Sequence, residues 1–376
     1  TVDDGTVASG ITSSKLTGAL PAISGASLTG IAGRKNMIIN GAMNVAQRAT
    51  SVTGFTDGSS GYITTDRWQQ SETGVANGIF TITQDTDAPD GFATSTKWDC
   101  TTADAALAAN DVLFITQQIE AQDLQHLSYG TSGALQTTLS FWVKSNKTGT
   151  YVAWLFQADA SRHIQSQYTI NTADTWEKKT YTIPADTSGV INNDNDTGLY
   201  IRFVLGAGTD WTSGTAPTAW AASVNANRYA GQTVNIADST ANYFNITGVQ
   251  FETGSVATDF EHRSYGEELA LCQRYCWRWV ATDPYGWIAQ AITVTNSARG
   301  LVHFPSKMRV PPTFSYGGAW RSYNHTVYSI SSISSANITN YTVQLQCAVS
   351  SPTIGTSSVI GANNDVNSFA NFDAEL

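Results

Sequence analysis

Charge is scarce in this chain: 13% of its 376 residues are Asp, Glu, Lys or Arg, with 20 basic against 30 acidic side chains. A net charge of -10 with no Lys/Arg cluster makes nucleic acid a poor partner. Cysteine is scarcer still. Cys100, Cys272, Cys276 and Cys347 are too few and too scattered for a disulfide framework, so reduced, buried thiols are expected. No CxxC or paired-His motif turns Cys272 and Cys276 into half of a zinc site. No apolar run is long enough to span a bilayer and no basic-then-apolar leader opens the chain, so neither membrane insertion nor classical secretion is expected. Thr1 fits either removal of an initiator Met or a trimmed fragment.

Catalytic strings are missing as well. There is no GxSxG elbow, no HExxH and no GxxxxGK[ST] loop, and His126, His163, His262, His303 and His325 show no ligand spacing. A depolymerase would need two carboxylates at a fixed separation, one with a raised pKa. No string singles out such a pair, so no enzymatic activity is expected.

Gly, Ser, Thr, Asn and Ala fill much of the remainder, which suits tightly turned β-structure, and the length suggests two or three domains. Residues 1–33 carry almost no large side chains, and Leu16-Thr17-Gly18 recurs as Leu28-Thr29-Gly30. Such sparse apolar residues cannot close a core within one chain. They read as an extended stem whose apolar residues meet those of other copies along an axis, the alternative being a flexible linker.

From residue 34 to 262 the pattern is that of a jelly-roll β-sandwich. Leu135, Thr137, Leu139, Phe141 and Val143 share one parity, and Leu199, Ile201, Phe203 and Leu205 repeat the device with Tyr200 and Arg202 outward. Further strands are expected over 79–84, 112–120, 150–156, 176–183 and 243–252. Phe244 and Ile246 fall on one parity and Val249 and Phe251 on the other, which predicts a bulge at Gly248. Residues 263–282 read as a short connecting helix: Ser264 and Glu267 have capping-box spacing, and Leu269, Cys272, Cys276 and Trp279 make one apolar stripe. That stripe is expected to pack on a threefold axis or against the sandwich. Residues 283–376 form a C-terminal β-rich tip, with strands at 287–294, 310–314, 341–347 and 368–376. The last is expected to be tied into a sheet, of this chain or of a neighbouring subunit.

The sequence holds 11 Trp and 15 Tyr, a supply that fits sugar binding, because pyranose C–H faces stack on aromatic rings. The candidates in turn-rich segments are Trp211 and Trp220, and, in the tip, Trp320, Tyr323 and Tyr328. Asn192-Asn193-Asp194-Asn195-Asp196 is the densest oxygen-ligand run, with Asp194 and Asp196 the calcium candidates. It lacks the EF-hand Glu and serves equally as an Asx-rich turn needing no metal. No cofactor is expected.

Several strings carry a resemblance: Asn36-Met37-Ile38-Ile39-Asn40-Gly41-Ala42-Met43 with Ala46-Gln47-Arg48, Thr65-Asp66-Arg67-Trp68, Leu139-Ser140-Phe141-Trp142-Val143-Lys144-Ser145, Thr175-Trp176-Glu177-Lys178-Lys179, Gly198-Leu199, and residues 246–279. With them the chain resembles bacteriophage tail-fibre or tail-tip proteins that carry a jelly-roll, carbohydrate-binding-module-like domain; the stem and the closing Asp373-Ala374-Glu375-Leu376 are similar to such proteins too. The resemblance implies a homotrimer on a virion, attached to other tail or baseplate proteins through its N-terminal segment. It also implies a host-surface polysaccharide or lipopolysaccharide as partner, bound without catalysis. A purely structural tail component and a polysaccharide depolymerase are the alternatives. The acidic chain as a whole should favour neutral, basic or cation-bridged glycans.

Overall fold

The computed structural model describes residues 35–56, 58–73 and 78–376. The expected stem, residues 1–33, lies outside them.

Two antiparallel sheets enclose the main core as a jelly-roll β-sandwich. Edge to edge, the first runs Ser51–Thr56, Ile79–Asp85, Ser95–Thr102, Tyr243–Thr253, Thr137–Ser145 and Glu177–Ile183. The second runs Ala221–Ala222, Arg162–Ile170, Gly149–Gln157, Thr197–Ala207, Val112–Glu120, Gln69–Thr73 and Ser60–Gly61. The alternation in the sequence decides which faces meet. Leu139, Phe141, Val143, Leu199, Ile201 and Phe203 are all fully buried between the sheets, each contributing roughly 1.5–3 kcal/mol of burial. Gly248 is the bulge: its φ is 62°, and the register of Tyr243–Thr253 against Thr137–Ser145 shifts between Thr247 and Gln250. The shift reverses parity, so that Ile246 and Val249 both reach the core. A Cβ there would stand 2.7 Å from the Phe92 ring and 2.9 Å from the Trp142 ring, which excludes any larger residue.

The second unit is a closed six-stranded barrel, Trp287–Val294, Ser297–His303, Thr342–Val349, Val327–Ala336, Trp320–Tyr323 and Ser357–Ala362. Closure leaves these strands no free edge. Val343, Leu345, Cys347 and Ile360 fill it. A three-stranded sheet packs on the same core, with Phe369–Asp373 in the middle between Cys276–Val280 and Thr313–Gly317. The last strand is therefore paired within its own chain. The strand expected at 310–314 begins at Thr313 because Pro311 and Pro312 have no N–H to give to a ladder.

The connecting helix is shorter than the sequence pattern suggests. It spans Tyr265–Gln273, with both halves of the capping box formed: Glu267 N donates to Ser264 Oγ at 3.4 Å, and Ser264 N to Glu267 Oε2 at 3.1 Å. Cys276 and Trp279, assigned to the helical stripe by spacing, belong instead to the strand Cys276–Val280. Cys-Trp-Arg-Trp-Val also fits a period of two, and a ladder partner some hundred residues downstream decides between the readings. Cys272 packs with Ile39, Val45 and Tyr275 against the sandwich. All four cysteines are buried and unpaired.

Several of the strings behind the resemblance converge on this junction. Asn36 and Asn40 act as hydrogen-bond hubs: Asn36 Nδ2 donates to Val249 O at 3.1 Å, while Asn40 Nδ2 donates to Val45 O and Asp66 O, each at 2.9 Å. Trp68 Nε1 donates to Asn40 O at 2.9 Å. Below them lies a buried charge network. Arg48 meets Asp373 at 2.7 Å and Glu375 at 3.2 Å; Arg67, 1% exposed, pairs with Glu375, donates to Gln118 O at 2.6 Å and lies 3.4 Å from the Tyr275 ring centroid. It joins the sandwich to the sheet that caps the barrel.

Candidate functional site

On the outside of the barrel, Trp287, Gly361, Arg321 and Ser329 lie opposite one another across four strands, forming a single row. The neighbouring row carries Tyr323, flanked by Val359 and Val327. Three aromatic rings here are exposed: Tyr285 at 46%, Trp287 at 43% and Tyr323 at 36%. Trp287 and Tyr323 lie side by side, with centroids 6.1 Å apart and planes 23° from parallel. The Arg321 guanidinium sits among all three, 4.3 Å from the Tyr285 centroid, 4.7 Å from Trp287 and 5.3 Å from Tyr323. Such contacts stabilise an exposed cation by about 0.5–1 kcal/mol each and fix its position.

Among the described residues no carboxylate pairs with Arg321. The acids on nearby loops are engaged elsewhere. Asp283 Oδ1 accepts from Tyr285 N at 2.7 Å. Asp365 accepts from Ala319 N and Asn367 N, each at 2.8 Å, and these amides hold its carboxyl below the usual range. The result is a flat apolar wall beside an unpaired cation, able to stack on a sugar's C–H face while donating to its oxygens.

Gly361 is the floor of this wall. A Cβ on it would meet the carbonyl oxygen of Gly286 and stand 2.6 Å from Trp287 Cε3, so only glycine lets the indole lie across the strand. Gly361→Ala is expected to displace the Trp287 ring and to cost about 1–3 kcal/mol of stability. A thermal melt together with the near-ultraviolet circular dichroism of the Trp–Tyr pair checks this; an unchanged spectrum contradicts it.

The residues singled out from sequence are distributed differently than expected. Tyr323 is in the wall. Tyr328 faces Ser322, whose side is the barrel interior, and so lies on the opposite parity from Tyr323. Trp320, 3% exposed, is a barrel core residue, its Nε1 donating to Gly317 O at 2.9 Å. Trp220, 7% exposed, belongs to the sandwich core, packed edge-on against Tyr129 with Nε1 donating to Pro184 O at 2.8 Å. Both indoles are covered, which corrects the expectation that they offer a face to ligand. Tyr285, Trp287 and Arg321 are not among the residues expected from sequence; the signal for them is Tyr285-Gly286-Trp287, two aromatics about a glycine at the start of a strand.

Trp211 lies at the rim of a second cluster, on the outer face of the seven-stranded sheet, with Trp154, Phe156 and Tyr229. Arg202 stacks 3.5 Å from the Phe114 centroid and donates to Tyr229 OH at 2.6 Å. Trp154 is nearly buried and donates Nε1 to His163 Nδ1 at 2.9 Å, so His163 carries its proton on Nε2. Burial, assisted by Arg228, lowers the His163 pKa to about 4. A base with a depressed pKa contributes stability that is present above its ordinary 6.5 and lost as pH falls through about 4. The loss is at most about 3 kcal/mol. Asp66 acts in the opposite sense: burial raises it to about 6 against the pull of Arg48, so its contribution is present below 3.8 and lost as pH rises through 6. His163→Gln, which still offers Trp154 an acceptor, is expected to flatten the His163 share, as urea midpoints at pH 7 and 4.5 would reveal. Identical pH dependence in wild type and variant contradicts this.

A cleft of about 550 Å³ lies between the sandwich and the barrel, lined by Asp123, Asp194, Arg274, Lys307 and Arg309 among others. Two of its cations are occupied in holding the seam. Arg274 grips Glu120 through two bonds of 2.7 Å, and Arg309 donates to the carbonyls of Asn195, Ala374 and Glu375 at 2.6–3.0 Å. The run 192–196 is built as a hydrogen-bonded turn: Asn192 is held by Asp159, Asp194 Oδ1 accepts from Asp196 N at 3.0 Å, and Asn195 Nδ2 donates to Arg309 O at 3.1 Å. Among the described residues no three His, Cys, Asp or Glu side chains gather in a metal-binding group.

No family model matches the chain, and neither does any curated protein. Solved structures give weak likenesses. The enzymatically active domain of tailspike protein 4 from bacteriophage CBA120 is 14% identical with a TM-score of 0.31; the match covers 58% of this chain and 21% of that one. A family 11 carbohydrate-binding module from Clostridium thermocellum, in complex with a mixed-linked tetrasaccharide, is 11% identical at a TM-score of 0.27, covering 51% of this chain and 91% of the module. The N-terminal cellulose-binding domain of Cellulomonas fimi β-1,4-glucanase C is 11% identical at 0.24, covering 55% and 90%. Likenesses at these scores carry no argument about function, which rests on the residues themselves.

Proposed function

We propose that this chain is a bacteriophage tail-fibre protein that recognises carbohydrate on the host surface and binds it without turnover. The observation that carries the carbohydrate reading is the exposed Trp287–Tyr323 wall with the unpaired Arg321 beside it. The virion reading is supported by the strings at 36–48, 65–68 and 246–279, which resemble those of tail fibres. In this reading the chain is a homotrimer attached through its N-terminal segment. A single sugar site of near-millimolar affinity is worth about 4 kcal/mol, and three linked sites on one surface multiply that.

The test is to incubate the purified protein with capsular and lipopolysaccharide fractions, then assay both retention and new reducing ends. Retention without new ends supports the proposal. New reducing ends make the protein a depolymerase, and no retention alongside a stable complex with another virion protein makes it a structural component. Light scattering tests the trimer: three times 40.2 kDa is expected, and a monomer refutes it.

A further inference from the structure

We infer that the sugar taken at the Trp287–Tyr323 wall carries a carboxylate, as a uronic or sialic acid does. This rests on the carbohydrate reading and adds the substrate class. Elsewhere in the fold most arginines are either paired with carboxylates or laid against covered rings. Arg48, Arg67, Arg162, Arg263 and Arg274 each meet a carboxylate of the protein, whereas Arg202, Arg228 and Arg278 lie on rings that are buried or half-buried. Arg321 differs from these in lying among three rings exposed to ligand. It meets no carboxylate among the described residues, and its Nε is buried without a hydrogen-bond partner. Three exposed rings hold it in place, so little freedom is lost when it engages a ligand.

A guanidinium held at the edge of an aromatic wall matches a pyranose bearing a carboxylate. The ring's C–H face lies on the indole and phenol while the planar fork takes the two carboxylate oxygens side by side, the strongest of arginine's pairings. A neutral sugar would leave that charge without a counterpart. The acids closest along the chain offer no substitute, because Asp283 and Asp365 are turned onto backbone amides. The protein's net charge of -10 points the other way, towards neutral or basic glycans. That field, however, is screened over about 8 Å at physiological salt, whereas the Arg321 contact acts within it.

The experiment titrates the whole protein with trigalacturonate, oligomannuronate, a hyaluronan tetrasaccharide and sialyllactose, each beside its carboxyl-reduced or neutral counterpart, following tryptophan fluorescence. At least one acid is expected to bind about tenfold or more tightly than its counterpart. Arg321→Met should bring that ratio to about one, Arg321→Lys should give an intermediate value because it keeps the charge but not the fork, and melting curves check that both variants fold. Equal binding of acid and counterpart, no acid bound at all, or a ratio unchanged in Arg321→Met overturns the inference. Neutral sugars that bind and are lost with Trp287→Ala would sink the acid alone. Sugars indifferent to Trp287→Ala would sink the site as well.

Discussion

Arg67→Met is expected to lower the thermal midpoint by about 5–10 °C and to split one melting transition into two. Arg67 is buried with its charge engaged by Glu375, Gln118 O and the Tyr275 ring. Met fills much of the volume but leaves Glu375 buried with Arg48 as its remaining cation, at 3.2 Å. Stripping one partner from a buried pair costs about 3–5 kcal/mol, mostly as the unpaired charge left behind. For a chain of this size each kcal/mol shifts the midpoint by roughly 2 °C. The split follows from where the network sits: Arg48 and Arg67 of the sandwich are tied by it to Asp373 and Glu375 at the end of the chain, so weakening it loosens two hydrophobic cores whose remaining seam contacts include those of Arg274 and Arg309. Calorimetry reads both effects. Because Arg67 and Glu375 share one interaction, the double variant Arg67→Met/Glu375→Gln should lose less than the sum of the two single changes. A single transition within 2 °C of wild type would show that the network contributes nothing to coupling.

Trp287→Ala is expected to cost about 2 kcal/mol or more per sugar site, roughly thirtyfold, as truncation of a central aromatic anchor does. It removes the larger ring of the wall and one of the three faces that position Arg321. Stability should change little, since the side chain is 43% exposed and packs mainly on Gly361 and Tyr323. In the proposed trimer the loss would compound with the number of linked sites, so that, under the proposed virion role, blocking of phage adsorption by the purified protein should disappear altogether. Adsorption still blocked at wild-type concentrations would place recognition elsewhere.

How much of this the sequence discloses depends on the range of the interaction involved. Leu139-Phe141-Val143 and Leu199-Ile201-Phe203 alternate because one face is core, and that local periodicity is enough to place the sandwich strands. The parity slip about Gly248 and the Ser264–Glu267 cap are local too, and both form as read. Cys276 and Trp279 fit a helix and a strand equally well; the choice belongs to Phe369–Asp373, which is out of reach of any local pattern. Barrel closure depends on Trp320–Tyr323 pairing with Ser357–Ala362 in the same way. The site is less legible than the fold. Turn-rich surroundings made Trp220 and Trp320 look available, yet those turns fold the indoles back onto cores large enough to bury them. Trp287, which is exposed, reads as an ordinary strand residue, because the placement of its ring depends on Gly361 on a neighbouring strand. Of the strings that carry the resemblance, 36–48, 65–68 and 246–279 meet at the junction, 139–145 and 175–179 lie on one sheet of the sandwich and 198–199 on the other, so they report on architecture and not on ligand.

The most direct test of the carbohydrate wall is one glycan array probed in parallel with wild type, Trp287→Ala and Trp211→Ala. The account predicts wild-type hits that survive Trp211→Ala and vanish with Trp287→Ala. Hits that survive Trp287→Ala and vanish with Trp211→Ala, or an array on which the wild type binds nothing, would contradict it.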